Sequence, residues 1–247
     1  MSEVLALALN SLQDDMRRVE HVAMNLANSL TPGYKRQVAV SQPFAGLVDS
    51  ASAAAAAAGK RAGSPQTFVD VHAGALKKTG ESLDLALGGD GFFEIQTPEG
   101  PAYTRQGNFR TDERGRLVTA QGQPVMGAGG EITLSSATPR IAPDGTVYDT
   151  ASGAGQAQLG RIRVVRFDDT KDMTSLGSGL LTAGSGMTDP QASQAQVQQG
   201  YLENSNVSSQ HEMVQLMQAT RHFESVEKAI QGYDELMDTA IRKLGEA

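Results

Sequence analysis

The pattern of apolar positions at the two ends of the chain predicts two long amphipathic helices. Near the N-terminus, apolar residues recur at alternating steps of four and three: Leu5, Leu9, Leu12, Met16, Val19, Ala23, Leu26 and Leu30. Near the C-terminus the same alternation connects Leu216, Ala219, Phe223, Val226, Ile230, Tyr233, Met237, Ala240 and Leu244. This spacing keeps one apolar seam facing a partner helix. We therefore expect these seam residues to assemble the helices with each other, with neighbouring copies, or with both.

The region between the helices has the pattern of a β-rich insert. Thr31, Pro32 and Gly33 end the first helix, because proline cannot continue the hydrogen-bond ladder and glycine accepts a positive φ. Gly-containing turns then recur between short strand-like runs such as Phe92–Gln96 and Arg116–Thr119, as in antiparallel hairpins. We predict an α+β fold, in which the N- and C-terminal helices form a coiled-coil-like domain with an inserted small antiparallel β-rich domain.

The same patterns suggest four regions along the chain. Residues 1–35 form the N-terminal helix of a core domain, and residues 36–75 form a linker or extension that is partly low-complexity. The low-complexity part contains the run Ala53–Ala58. Residues 76–200 form the β-rich domain, and residues 201–247 contribute the C-terminal helix of the core domain.

Composition narrows the classes of function. The chain has 247 residues and a formal net charge of -7, which disfavours nucleic-acid and anionic-membrane partners. It contains no cysteine, which excludes disulfides and thiolate metal sites. No apolar stretch approaches the roughly 18–20 residues of a membrane span, so membrane insertion is not expected. Glu3 stands where a secretory leader would carry basic residues, and we expect no cleaved signal peptide.

No catalytic, cofactor or metal site is predicted. His211 and Glu212 begin like a metalloprotease helix, but no second histidine follows at the required spacing. The carboxylates of Asp84, Asp90 and Glu94 are close in sequence and fit either an acidic site or ordinary surface carboxylates at a hairpin. We therefore expect a protein that is not an enzyme and that uses no cofactor.

A series of motifs resembles the bacterial flagellar rod and hook proteins. The segment Asn25–Lys35, at the end of the first helix, resembles the family signature, carried here by Asn25, Leu26, Ala27, Asn28, Thr31, Pro32, Gly33 and Tyr34. The agreement continues in the expected order through Leu83–Leu87, Gly91–Phe93, Tyr103–Phe109, Gly115–Thr119 and Gln199–Val207. Taken alone, Asn25 and Asn28 also suit an ordinary helix end, because their side chains bond nearby backbone groups.

The resemblance implies a structural subunit of the flagellar basal-body rod, with length and a single insert typical of a proximal-rod member. Such a subunit would polymerise helically through its terminal helices into a hollow drive shaft that transmits torque and passes exported subunits. Its implied partners are copies of itself, other rod proteins and the flagellar type III export apparatus, and its implied location is the periplasmic rod of the basal body. The alternative is a secreted adhesin or fibre-like binding protein that trimerises through its helices.

Overall fold

The computed structural model describes residues 2–40, 66–136, 138–149, 157–188 and 196–245. Within these residues there are two helices, α1 (Ser2–Ala27) and α2 (Ser209–Gly245). The strands are β1 (Gln37–Val40), β2 (Gln66–Val69), β3 (Leu76–Lys78), β4 (Leu85–Gly88), β5 (Phe92–Thr97), β6 (Gly100–Thr104), β7 (Arg110–Thr111), β8 (Leu117–Val118), β9 (Met126–Gly127), β10 (Gly130–Glu131), β11 (Arg140–Ile141), β12 (Thr146–Tyr148), β13 (Gln158–Arg161), β14 (Val164–Asp169), β15 (Ser175–Gly177), β16 (Leu180–Leu181), β17 (Ser185–Thr188), β18 (Gln196–Gln199) and β19 (Tyr201–Glu203). The predicted run Ala53–Ala58 lies outside the described residues.

The chain divides into two units. The helical unit contains α1 and α2, and the β unit comprises residues 28–38 and 67–207. In the helical unit, Asn25 contacts Glu212 and Asp15 contacts His222. Because the contact partner moves back along α2 as the chain advances along α1, the two helices run antiparallel.

The largest sheet of the β unit has six strands in the order β15-β16-β6-β5-β14-β17. Its central hairpin pairs Phe93 with Thr104 and Thr97 with Gly100, and Gly100 provides the positive φ of 130° that the turn needs. Phe93 and Ile95 are fully buried in the main hydrophobic cluster. The alternating apolar positions of β5 therefore place Phe93 and Ile95 in this core.

Two short antiparallel pairs connect distant parts of the β unit. Strand β18 pairs with β4, and this register places Gln199 opposite Leu85. Strand β19 pairs with β3, and this register places Glu203 opposite Leu76. The segment that leads to the C-terminal helix is therefore held by strands from the beginning of the β unit.

The predicted fold class, α+β with a coiled-coil-like domain of terminal helices and a small β insert, is wrong in two respects. The described residues contain nineteen strands in seven sheets, so the β part is not a small insert. In the described residues the terminal helices also form no coiled coil. Helix α1 buries Asp15, Val22 and Asn25, whereas Leu9 and Met16 of the predicted seam are exposed.

The difference has a simple geometric cause. The buried positions 15, 22 and 25 each precede a seam position by one residue, which is about 100° around an α-helix. Two of these buried side chains are polar, so apolar periodicity could not locate the packed face. The helix also ends at Ala27, which leaves Leu30 in the following turn with a relative exposure of 93%.

Candidate assembly site

The exit from the first helix is a tight turn built from the N-terminal motif. The Thr31 amide donates to the Asn28 carbonyl at 3.1 Å, and the Thr31 hydroxyl donates to the Asn28 side-chain oxygen at 3.2 Å. Gly33 has a φ of 66°, and its amide donates to the Glu203 carbonyl at 2.7 Å. A Cβ at Gly33 would overlap the backbone of Arg105. This position therefore needs glycine both for its conformation and for the close approach of a second chain segment.

The carboxylate of Glu203 is the centre of a buried ionic cluster, which we call the Glu203 cluster (Lys35, Gly74, Arg105 and Glu203). Lys35 Nζ donates to Glu203 Oε1 at 2.6 Å, and Arg105 Nη1 donates to Glu203 Oε2 at 3.2 Å. The Gly74 amide donates to Oε1 at 2.9 Å. All three ionic side chains have exposures of 1–3%. Burial lowers the pKa of the Lys35 ammonium and of the Arg105 guanidinium, and the charge of Glu203 opposes both shifts.

Arg105 and Lys35 extend the cluster to other parts of the β unit. Arg105 Nη2 donates to the Gly89 carbonyl at 2.7 Å, and its guanidinium carbon lies 5.3 Å from the centre of the Phe92 ring. This geometry is typical of a cation–π contact. Lys35 Nζ also donates to the His72 carbonyl at 2.6 Å. Each cation is thus held by one carboxylate oxygen and one backbone carbonyl, as buried ionic groups need. Among the described residues, the buried Nε of Arg105 has no hydrogen-bond partner.

Asn206 ties the C-terminal motif to the chain that follows the helix exit. Its side-chain oxygen accepts from the Arg36 amide at 2.8 Å, and its Nδ2 donates to the Asp70 carbonyl at 2.8 Å. Tyr34, which ends the N-terminal motif, is buried. Three segments that lie far apart in sequence, Asn28–Lys35, Tyr103–Phe109 and Gln199–Val207, therefore meet in one part of the β unit.

Polar contacts between α1 and α2 occupy the packed face of the helical unit. Asn25 Nδ2 donates to Glu212 Oε2 at 3.3 Å, and both residues are buried. His222 Nδ1 lies 2.5 Å from Asp15 Oδ2. Asn25 of the family motif is thus a packing residue within the helical unit, and its amide satisfies a buried carboxylate.

The predicted seam residues occupy different environments. On α1, Leu9, Met16 and Ala23 are exposed, whereas Leu12, Val19 and Leu26 are half-buried. On α2, Ala219 is buried, Leu216, Val226 and Ile230 are half-buried, and Phe223 is 37% exposed. The side chains of Leu5, Tyr233, Met237, Ala240 and Leu244 lie outside the described part of the chain. A single chain does not test whether these residues contact neighbouring copies, and this role stays a prediction.

The remaining motif residues surround the helix exit. Leu26, Asn28, Thr31 and Pro32 are half-buried, Ala27 is exposed, and Gly33 is buried. Sequence reasoning missed the ionic role of Lys35, Arg105 and Glu203. The available signal was that each of them lies inside one of the motifs on which the family resemblance rests.

Glu94, one of the three neighbouring carboxylates, pairs with Arg163 at 3.2 Å. No group of three or more potential metal ligands occurs in the described ranges. No helix in these ranges is both long and apolar enough to cross a membrane.

Comparison with known sequences identifies the class of protein. Residues 86–149 match the family described as "Flagellar hook protein FlgE/F/G D1 domain", and residues 198–243 match "Flagellar basal body rod FlgEFG protein C-terminal". Two of the three segments that meet in the β unit, Tyr103–Phe109 and Gln199–Val207, lie wholly within these matches. Arg105 and Glu203 therefore lie within the matched ranges.

Full-length relatives define the family. The flagellar basal-body rod protein FlgF of Caulobacter vibrioides is 33% identical, over 100% of this chain and 99% of the relative. FlgF of Rhizobium meliloti is 32% identical, over 99% of each chain. FlgG of Bacillus subtilis is 31% identical, over 98% of each chain. The chain belongs to the flagellar basal-body rod protein family. Within it, the chain is similar to FlgF, and it is a structural rod subunit rather than an enzyme.

Proposed function

We propose that this rod subunit polymerises helically through its terminal helices and so contributes to the hollow drive shaft that transmits torque and passes exported subunits. One observation carries this proposal: apolar side chains on both helices remain exposed in the single chain. Met16 is 63% exposed, and Met213 and Met217 are each 52% exposed. Such side chains are buried when copies associate, and each contributes about 1.5–3 kcal/mol when fully buried.

Repetition of one asymmetric contact explains how a rod can grow from such subunits. A contact between two different surfaces of the same protein forms a helical filament when its rotation does not close into a ring. The exposed apolar residues of α1 and α2 are the candidates for such a contact. We therefore assign the exposed members of the predicted seams, Leu9, Met16 and Phe223 among them, to contacts between subunits.

The proposed partners are copies of this chain, other rod proteins and, during assembly, the flagellar type III export apparatus. The proposed location is the periplasmic part of the basal body. Family membership supports both proposals, because the relatives are basal-body rod proteins. Nothing in the comparisons supports the adhesin alternative.

Deletion of the gene in its source bacterium tests the proposed function. We expect loss of swimming and basal bodies that stop at a truncated rod in electron micrographs, with both defects restored by the wild-type gene. Complementation with Met16→Asp should fail, because the new carboxylate would be buried between subunits, whereas Met16→Leu should succeed. Circular dichroism of the purified variants controls for helix content. Normal basal bodies in the deletion strain would overturn the proposal.

A further inference from the structure

The last segment of the β unit connects parts of that unit that lie far apart in sequence, and we call this segment the C-terminal strap (residues 196–207). Its strands β18 and β19 pair with β4 and β3, which have no other strand partner among the described residues. Gln199 of the strap donates from Nε2 to the carbonyls of Ser82 and Pro139 at 2.8 Å and 2.7 Å, and its Oε1 accepts from the Ile141 amide at 3.1 Å. One side chain of the strap thus holds two separate regions of the unit.

The strap also provides the counter-ion of the Glu203 cluster. Glu203 lies 168 residues from Lys35 and 98 residues from Arg105 in sequence, and its carboxylate accepts hydrogen bonds from both cations. A chain without the strap would have to bury these two cations without that carboxylate, which is strongly unfavourable. A compact β unit that lacks the strap is therefore destabilised by its buried charges as well as by the missing strand pairs.

We propose that docking of the C-terminal strap is the step that allows the β unit to fold, so that the chain stays unfolded until residues 196–207 have joined it. The strap is the last part of the β unit to be synthesised, because chains grow from the N-terminus. An incomplete chain therefore lacks both the buried counter-ion and the strand partners of β3 and β4. Late folding of this kind keeps a subunit unfolded for passage through the hollow shaft, and in that respect the inference rests on the proposed function.

The folding kinetics of the full-length chain test this proposal. Refolding and unfolding in urea are followed by tyrosine fluorescence, which reports on the buried Tyr34 and Tyr103 of the β unit. Because the strap docks in the transition state, Glu203→Gln should slow refolding at least about tenfold and change the unfolding rate less than about twofold. Gln199→Ala, which keeps the ionic cluster, should show the same division between the two rates, and it replaces Glu203→Gln if that variant does not fold.

A variant outside the strap provides the control for these rates. Leu181→Ala removes apolar contacts in a second hydrophobic cluster, which contains no strap residue. Its destabilisation should include faster unfolding, which shows that the assay detects changes in the unfolding rate. If Glu203→Gln instead unfolds faster and refolds at the wild-type rate, the strap docks after the folding barrier and the proposal is overturned.

A reversible tether provides a second, independent test. The chain has no cysteine of its own, so Lys78→Cys with Tyr201→Cys introduces one disulfide between facing residues of β3 and β19. The oxidised form should refold at least about tenfold faster than the reduced form, because the tether removes much of the entropy cost of bringing the strap to its partner. Gln96→Cys with Pro101→Cys is the matched control, which joins facing residues of the β5–β6 hairpin across a loop that is already short. Equal refolding rates for the two forms of the strap variant would overturn the proposal.

The outcomes separate this inference from the proposed function. Truncated rods in the deletion strain, together with refolding that does not depend on the strap, overturn the inference and leave the function standing. Normal basal bodies in the deletion strain overturn the proposed function, and the refolding rates then still decide whether the strap controls folding.

Discussion

Glu203→Gln is expected to destabilise the β unit strongly, although it changes only a few atoms. Glu203 Oε1 accepts from Lys35 and Gly74, and Oε2 accepts from Arg105. Either orientation of the new amide points an N–H group at one of these donors. Lys35 and Arg105 then remain buried without their shared counter-ion. Removing one partner of a buried ion pair typically costs about 3–5 kcal/mol.

Urea denaturation of the full chain measures this effect. The chain has no tryptophan, and Tyr34 and Tyr103 are both buried in the β unit, so tyrosine fluorescence reports on that unit. With a slope of about 2 kcal/mol per molar urea, the loss lowers the midpoint by about 1.5–2.5 M. Adding Lys35→Met should recover part of the loss, because it removes one of the two uncompensated cations.

An exposed ion pair in the same unit provides the control. Arg116 Nη1 lies 3.1 Å from Glu131 Oε2, but both side chains reach solvent. Glu131→Gln should leave the midpoint unchanged, since exposed pairs contribute little. A shift of the Glu203→Gln midpoint by less than about 0.3 M is too small to count as an effect in such a measurement. That result would refute the reasoning on the buried cluster.

Two further predictions concern backbone geometry and acid stability. Gly33→Ala should lower the urea midpoint much more than Gly80→Ala does. Both glycines have positive φ, but only at Gly33 would a Cβ overlap another chain segment. Equal shifts would assign the whole effect to the left-handed conformation, which costs about 1–3 kcal/mol. Separately, hydrogen bonds from the Thr146 hydroxyl and amide lower the pKa of Asp144 below its usual 3.8. The resulting stabilisation is complete above the pKa of Asp144 in the unfolded state, and it is lost as the pH falls through the lower pKa of the folded state. The urea midpoint of Asp144→Asn should therefore decline less in acid than that of the wild type.

The amino-acid sequence was sufficient to predict the type of most elements but not how the strands of the β part pair. Gly turns between short apolar runs predicted hairpins, and the pairing of Phe92–Thr97 with Gly100–Thr104 is one of them. Pairings between distant segments, such as β18 with β4, could not be predicted. Short strands of this kind have no local turn that defines their partner, and only the packed β unit selects it.

The ionic core of the candidate site was equally invisible to periodicity. Lys35, Arg105 and Glu203 are residue types that are almost never fully buried unless they are paired. A single sequence does not show which charges meet. Their positions within three separate family motifs become meaningful only when the fold brings those motifs together. The Glu203 cluster thus explains in physical terms why these motifs occur in one chain.

The helical unit shows why apolar periodicity did not identify the face on which α1 packs against α2. A run of Leu, Met and Val at heptad-like spacing indicates a surface that becomes buried, but it does not identify the partner. In α1 the packed face instead carries Asp15, which contacts His222 on α2, and Asn25, which donates a hydrogen bond to Glu212 on α2. Hydrogen bonds of this kind are electrostatically stronger in the protein interior than in water. Met16, one position away from Asp15, is left exposed. We propose that in this rod subunit the polar face specifies how the chain's own helices pair, and that the apolar face packs against a neighbouring copy.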